Sequence, residues 1–373
     1  MKKTSLGRLL LLLFALVLAT SFGTASAEAP AATTLEVQVI AEGLSHPWDI
    51  GQLPDGSLLF TQRGGTLSLW KDGAVTVLAE IPGVAAAGEG GLTGLAIDVD
   101  FETNRFIYVA YNARAASGPE VRVTRFQLTD ALALENPRDV ATGLPALPGG
   151  RHSGTQLEMG ADGILWIGTG DAATGSNPQD PQSLGGKVLR VTRDGEPASG
   201  NLSAPFDPRI YSYGHRNIQG LVVFDAPVHG VWGYSAEHGP GIEDEVNPLV
   251  PGNFGWDPKP PYNEGVPMTD LNKFPDAVPA TWNSGNRTIA VSGLTQLLGT
   301  HWGAYENAYV VAALKGSQLR VLWLHDGVVT KEEILFEGAY GRLRAAVLGH
   351  DGLLYVTTDK GNNDQILRIS PVP

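Results

Sequence analysis

A pair of apolar runs joined by a tight Asp-Gly turn recurs along this chain and limits what it can become. The pattern is plainest in WDIGQLPDGSLLFTQ, QLEMGADGILWIGTG and AAVLGHDGLLYVTTD. Alternating apolar residues on both sides of Asp-Gly specify an antiparallel hairpin, because glycine accepts the backbone conformation that the turn demands. With that template in hand, weaker copies follow at LTGLAIDVDFETNRFIYVAY, IQGLVVFDAPVHGVWGYSAE and LTQLLGTHWGAYENAYVVAALK, making six. A third strand is predicted after each hairpin, in GTLSLW, VRVTRFQL, GKVLRVT, DEVNPLV, SQLRVLWL and DQILRIS. Fourth strands carry no comparable signal, and no stretch keeps the 3.6-residue apolar period of a long helix.

A small antiparallel sheet cannot bury a face by itself, so six of them must pack on one another. A ring of blades around a channel does this. The uneven spacing, with long inserts at 196–215 and 257–288, suits blade loops better than a solenoid. The expected fold is therefore all-β: a six-bladed β-propeller of four-stranded antiparallel sheets, one domain over residues 34–373. LEVQVIA is the candidate strand for completing a blade and closing the ring.

With 43% hydrophobic and 17% charged residues the chain is a folded one, not a disordered one. A formal charge of −13 with no basic run argues against a nucleic-acid or anionic-membrane surface, which needs clustered positive potential. Zero cysteines exclude disulfides, thiolate metal sites and a cysteine nucleophile. At the start, Lys2, Lys3 and Arg8 precede LLLLLFALVLA, and Ala25-Ser26-Ala27 offers a small-residue cleavage site. Residues 1–27 read as a signal peptide and 28–33 as a flexible leader, so a periplasmic or extracellular location is expected. A stable membrane anchor would need a longer apolar run, of roughly 20 residues.

In an up-and-down blade the first strand follows the channel and the second returns, so the start of one and the end of the other share a face. Glu89, His152, Arg216, Arg342 and Arg344 sit at or before first strands; His238-Gly239-Pro240 and Lys315 sit at the ends of second strands. All are predicted to meet at one mouth of the channel. Gathering Arg216, Lys315, Arg342 and Arg344 there, in an acidic protein, calls for a multiply anionic ligand. His152 is the candidate general base. Glu237, Glu243, Asp244 and Glu245 flank the Gly-Pro turn and offer hard oxygen donors for Ca²⁺, a reading that stands level with a solvated acidic loop. GTGDAATG is glycine-rich, but no helix follows it, so no dinucleotide site is read there. Neither His-Glu-x-x-His nor Gly-x-Ser-x-Gly occurs.

The segments GLSHPWDIGQLPDG, GEGGLTGLAIDVDFETNRFIYVAY, RHSGTQLEMGADGILWIGTGD, GGKVLRVTRDG, YSYGHRNIQGL and AEHGPGIEDEVNPLVPGNFGW follow one another in that order. With the later Lys315 and Arg342-Leu343-Arg344, they make the chain resemble the soluble PQQ-dependent aldose sugar dehydrogenases, the glucose/sorbosone dehydrogenase-like family of six-bladed propellers. The resemblance implies PQQ and Ca²⁺ as cofactors, an aldose substrate oxidised at its anomeric hydroxyl to a lactone, and a soluble electron acceptor, in a monomer or homodimer. It implies His152 as the base and Arg216, Asn217, His238, Lys315, Arg342 and Arg344 around PQQ. It also implies the carbonyls of Gly239 and Pro240 on the cofactor's Ca²⁺, and Glu89 at the substrate. Glu243, Asp244 and Glu245 are candidates for a second Ca²⁺.

Three positions depart from the family pattern: Arg151 stands where an acid or amide is found, Thr155-Gln156 where Gly-Arg is frequent, and Ala345 where Asp is common. Arg151 is expected to depress the pKa of His152 and to add positive charge near the substrate. The alternative is a calcium-containing propeller without redox chemistry, carbohydrate-binding or lactonase-like. Such a site has no need for four surrounding cations.

Overall fold

The Asp-Gly turns are built alike wherever they recur. At 53–57, the Leu53 N–H donates to Ser57 O and the Gly56 N–H to Leu53 O, with Gly56 at φ 83° and the Asp55 carboxylate accepting from the Ser57 N–H. The turns at 160–164 and 349–353 repeat these bonds, with Gly163 and Gly352 at φ 75° and 77°. This is a type I turn closed by a left-handed glycine, which fixes the register of the two strands.

The computed structural model describes residues 33–259 and 261–372, so the expected signal peptide lies outside the described residues. All six hairpins and all six third strands are present, each within one sheet. Blade 1 is Pro47–Gln52, Leu58–Gln62, Thr66–Lys71 and Ala74–Glu80; blade 2 is Leu92–Ile97, Phe106–Ala115, Gly118–Leu128 and Leu134–Pro145. Blade 3 is Gln156–Met159, Leu165–Gly168, Lys187–Val191 and Ile210–Tyr213; blade 4 is Ile218–Val228, Val231–Glu237, Glu245–Pro248 and Trp282–Asn283. Blade 5 is Val291–Gln296, Tyr309–Ala313, Gln318–His325 and Val328–Leu335. Blade 6 is Leu343–Leu348, Leu354–Thr358 and Asp364–Pro371, completed by Leu35–Leu44. The early strand thus closes the ring, pairing Leu35 with Pro371 through to Leu44 with Asp364. Blade 3 differs from the expected four strands, because Gly252–Asn253 adds to it in parallel beside Ser212–Tyr213.

Fourth strands lack a sequence signal for a physical reason. They lie at the rim, where Ala74–Glu80 is mostly exposed, and the blade 4 member has only two residues. Where a strand such as Ala74–Glu80 has no buried face nothing selects alternation, and Ile210–Tyr213 and the blade 4 member are too short to display it.

Apolar side chains from neighbouring blades make the core. Each of six clusters straddles a blade boundary, such as Leu59 and Leu67 with Leu92, Ile107 and Val109, or Ile50 and Phe60 with Tyr355 and Ile366. The innermost strands come very close at the channel. A Cβ on Gly220 would sit 2.3 Å from Ser292 O of the next blade, and one on Gly94 would sit 2.5 Å from Thr155 O. Five of the six innermost strands carry a bulge near their start, as between Leu92 and Leu95 or Leu343 and Ala346. A bulge can re-aim neighbouring side chains, and here the bulges lie beside strand starts that carry mouth residues such as Glu89, Arg216 and Arg344. Among the described residues no helix is long and apolar enough to cross a membrane.

Candidate active site

His152, just before the innermost strand of blade 3, is buried and has a left-handed backbone (φ 51°). Its Nδ1 lies 2.8 Å from Asp171 Oδ1. A carboxylate only accepts, so Nδ1 is the donor, and in the neutral imidazole this tautomer places the lone pair on Nε2. Asp171 is fully buried and oriented by further donors: the Ala173 N–H on Oδ1 (2.7 Å), and on Oδ2 the Trp256 indole N–H (2.9 Å) and the Tyr262 hydroxyl (2.8 Å). The Tyr262 oxygen is also 3.0 Å from His152 Nδ1. Burial, with the Asp171 charge, pushes the Tyr262 phenol well above its usual range, so it stays a donor. From blade 2, Glu89 Oε2 accepts the His152 N–H (3.1 Å) and Asn217 Nδ2 (3.3 Å). Asn217 Oδ1 in turn accepts the Gly154 N–H at 3.0 Å.

Trp256 and Tyr262 belong to blade 4 yet serve a blade 3 carboxylate. The parallel pairing of Gly252–Asn253 with blade 3 makes this crossing, continued by hydrogen bonds from the Phe254 N–H to Tyr213 O and the Trp256 N–H to Gly214 O.

The four expected cations do not stand alike. Arg216 is buried; Nη1 donates to His238 O (2.9 Å) and Nη2 to Glu264 (2.6 Å), whose other oxygen takes Arg151 at 2.7 Å. Burial would raise the Glu264 carboxyl, but the bonds from Arg216 and Arg151 outweigh it and hold it below the usual range. Arg344 is buried too, with Nε and Nη2 both on Asp359 Oδ2 (2.7 and 2.6 Å) and Nη1 on Gln219. Arg342 is exposed, its Nε donating to Asp359 O at 3.2 Å, and Lys315 is exposed at the matching place in blade 5. Glu264 and Asp359, both distant in sequence, thus already match two of the four cations. A further cation, Arg63, lies close to Arg342, Arg344 and Asp359 at the end of the second strand of blade 1.

His238 lies among these groups. Burial first, then the charges of Arg216 and Arg344, holds its imidazole well below the usual range, so the ring is neutral. Among the described residues two buried nitrogens here lack partners, Arg216 Nε and His238 Nε2. Such groups are costly unless something accepts from or donates to them, which suits a polar, anionic ligand. At the Gly-Pro turn, a Cβ on residue 239 would meet Ile242 O at 1.9 Å, so only glycine fits. Among the described residues the carbonyls of Gly239 and Pro240 accept no hydrogen bond and are open to a hard cation.

The neighbouring carboxylates do not form the expected second metal site. Glu243 accepts from the Met268 N–H, and Asp244 is consumed by Gly239, Thr288, Ile289 and Ala290. Glu245 points inward to Asn247 and Thr269, where burial and the Glu237 charge raise its pKa to about 8. Glu243 has a left-handed backbone (φ 57°), the strand begins only at Glu245, and each of the three carboxylates is taken by different partners, so they do not converge. Among the described residues, one group of three carboxylate or imidazole ligands does converge, His46, Asp359 and Asp364. Asp364 there spends its oxygens on the N–H groups of His46, Lys360 and Gly361.

The departures from the family pattern also find places. Arg151 pairs with Glu264 and lies over the Tyr262 ring (5.5 Å), so its charge is matched by a carboxylate rather than added bare beside His152. Gln156 spans the channel, its Nε2 donating to Asp49 Oδ2 of blade 1 at 2.8 Å, and Thr155 bonds to Ser153 O. Ala345 is buried, with its N–H on Thr357. Sequence reasoning missed Asp171, Trp256, Tyr262, Glu264 and Arg63. Asp171 and Arg63 follow second strands, the same phase as His238 and Lys315, so that positional rule reaches them too. Tyr262 and Glu264 sit in the 257–288 insert and had no signal.

A cavity of about 550 Å³ occupies the other end of the channel, lined by Asp49, Gln156, Glu158 and Thr295, and shares no residue with the His152 site.

The sequence model of the family described as glucose/sorbosone dehydrogenase matches residues 44–368. Aldose sugar dehydrogenase YliI of Escherichia coli strain K12 is 30% identical, over 91% of this chain and 94% of that one. The crystal structure of the soluble aldose sugar dehydrogenase from Escherichia coli, in its apo-form, superposes with a TM-score of 0.80 at 29% identity, covering 91% of this chain and all of that one. The PQQ-bound form of aldose sugar dehydrogenase from Streptomyces coelicolor gives 0.77 at 31% identity, over 92% of this chain and 100% of that chain. With its six blades matched end to end by relatives of this kind, the chain belongs to the glucose/sorbosone dehydrogenase family.

Proposed function

We propose that this protein is a PQQ-dependent dehydrogenase that oxidises aldose sugars at the anomeric carbon to lactones. The observation that carries the reading is the placement of His152: buried, with Nδ1 tied to Asp171, and near His238 and its neighbour Arg216. The PQQ-bound Streptomyces relative supports the choice of cofactor. When bound, PQQ supplies an ortho-quinone that accepts hydride and three carboxylates that need cationic partners.

Lys315, Arg342, Arg344 and Arg216, with Asn217 and His238, are the residues that would hold it. The two buried nitrogens without partners, Arg216 Nε and His238 Nε2, fit such a ligand. The Gly239 and Pro240 carbonyls would hold Ca²⁺, which prefers oxygen donors. We assign no second Ca²⁺ to Glu243, Asp244 and Glu245. His152 Nε2 takes the proton of the anomeric hydroxyl, and Asp171 stabilises the imidazolium that forms. Glu89 keeps one oxygen beyond its bonds to His152 and Asn217, and we assign it to the substrate. Electrons then pass to a soluble acceptor, and the protein acts after export.

Adding PQQ and Ca²⁺ to purified apo-protein and following dye reduction with a panel of aldoses tests this. Sugar-dependent reduction that disappears in His152→Ala is expected. Absence of saturable PQQ binding in Ca²⁺ would sink the proposal in favour of a calcium-containing propeller without redox chemistry. That alternative draws on the pairing of Arg216 and Arg344 with Glu264 and Asp359. It expects Arg342→Ala and Lys315→Ala to leave ligand binding nearly intact.

A further inference from the structure

The two buried arginines of the mouth are closed in different ways. A carboxylate docks on the side of a guanidinium through Nε and Nη2 together. On Arg344 that side is filled, because Nε and Nη2 both reach Asp359, a carboxylate that is 2% exposed. On Arg216 the same side is half filled: Nη2 holds Glu264, and Nε is buried without a partner. Glu264 is 35% exposed, and its second anchor is Arg151, which is 48% exposed. Arg216 itself is buried, but the Glu264 side of its pair meets solvent, whereas both sides of the Arg344–Asp359 pair are shielded from water.

We propose that Glu264 is a built-in competitor for the carboxylate of an anionic ligand at Arg216, and thereby sets how tightly the cofactor is held. The inference rests on the PQQ reading above. A ligand carboxylate that engages both Nε and Nη2 must displace Glu264, which then keeps only Arg151. Arg151, which departs from the family pattern beside the base, thus gains a role as the anchor that retains the displaced side chain. Because one carboxylate is exchanged for another, wild-type protein gains little net ion pairing on binding, and its affinity responds weakly to salt.

The test is titration of apo wild-type, Glu264→Gln and Glu264→Ala proteins with PQQ in Ca²⁺, read by quenching of tryptophan fluorescence at low and high salt. Both variants are expected to bind about three- to tenfold more tightly than wild type. Their affinity should also fall more steeply with salt. Thermal melts check that both are folded, and a part-exposed loop side chain is readily replaced. Wild-type binding with variants that bind equally or more weakly overturns the competitor role and leaves the PQQ reading standing. Failure of wild type and both variants to bind overturns the PQQ reading, and this inference with it.

Discussion

At His152 the chemistry depends on which nitrogen carries the proton, and Asp171 decides it. Asp171→Asn presents an amide that no longer demands a donor at Nδ1, so sugar-dependent dye reduction should fall by about 10²–10⁴-fold while PQQ binding changes little. Tyr262→Phe removes one of two donors on Asp171 Oδ2 and leaves Trp256 in place, so a loss of about tenfold or less is expected. A larger loss in the tyrosine variant than in the aspartate variant would contradict this order. Asp171 could have been read from GTGD by the same positional rule that found His238. Tyr262 could not, since its approach depends on where an irregular insert returns.

Within the blades, glycines of different origin predict different costs. Gly56 ends an Asp-Gly turn at φ 83°, with open space around a Cβ, so Gly56→Ala should cost about 1 kcal/mol from backbone strain alone. Gly220 has no such φ, but its Cβ would strike the backbone of blade 5 at Ser292. Gly220→Ala should therefore cost about 3 kcal/mol, and urea unfolding midpoints would rank the two. The hairpins and third strands were legible because turn chemistry and two-residue alternation act within a few residues. Fourth strands such as Ala74–Glu80 were not, since a strand with no buried residue has no pattern to show.

For the propeller as a unit, the channel end opposite the site predicts an acid-favouring stability. Burial raises Asp49 to about 7, and burial with the Asp49 charge raises Glu158 to about 8. The folded state therefore binds these protons more tightly than the unfolded one, and this stability, complete below about pH 4, is lost as pH rises through 7 to 8. Asp359 and Glu264 act oppositely: burial works against them, but Arg344, Arg216 and Arg151 hold both below the usual range, so their stability disappears in acid. Melting temperature should peak between these limits, decline as pH rises through 7 to 8, and then level off. Glu158→Gln should recover about 1 kcal/mol at the alkaline end, discounted for water in the cavity, and an unchanged decline would refute the assignment. Deleting residues 33–44 should lower stability far more, because Asp364–Pro371 would become an open edge and the ring would lose its closure. From sequence alone came the number of blades, the order of their first three strands, the closing strand and the common phase of the mouth residues, because these follow from local turn chemistry and strand period. Tertiary structure alone decided the charge balance of the mouth, the divergence of Glu243, Asp244 and Glu245, and the second support of the base. Those depend on which side chains of distant segments come within about 3 Å of one another, and no spacing along the chain encodes that distance.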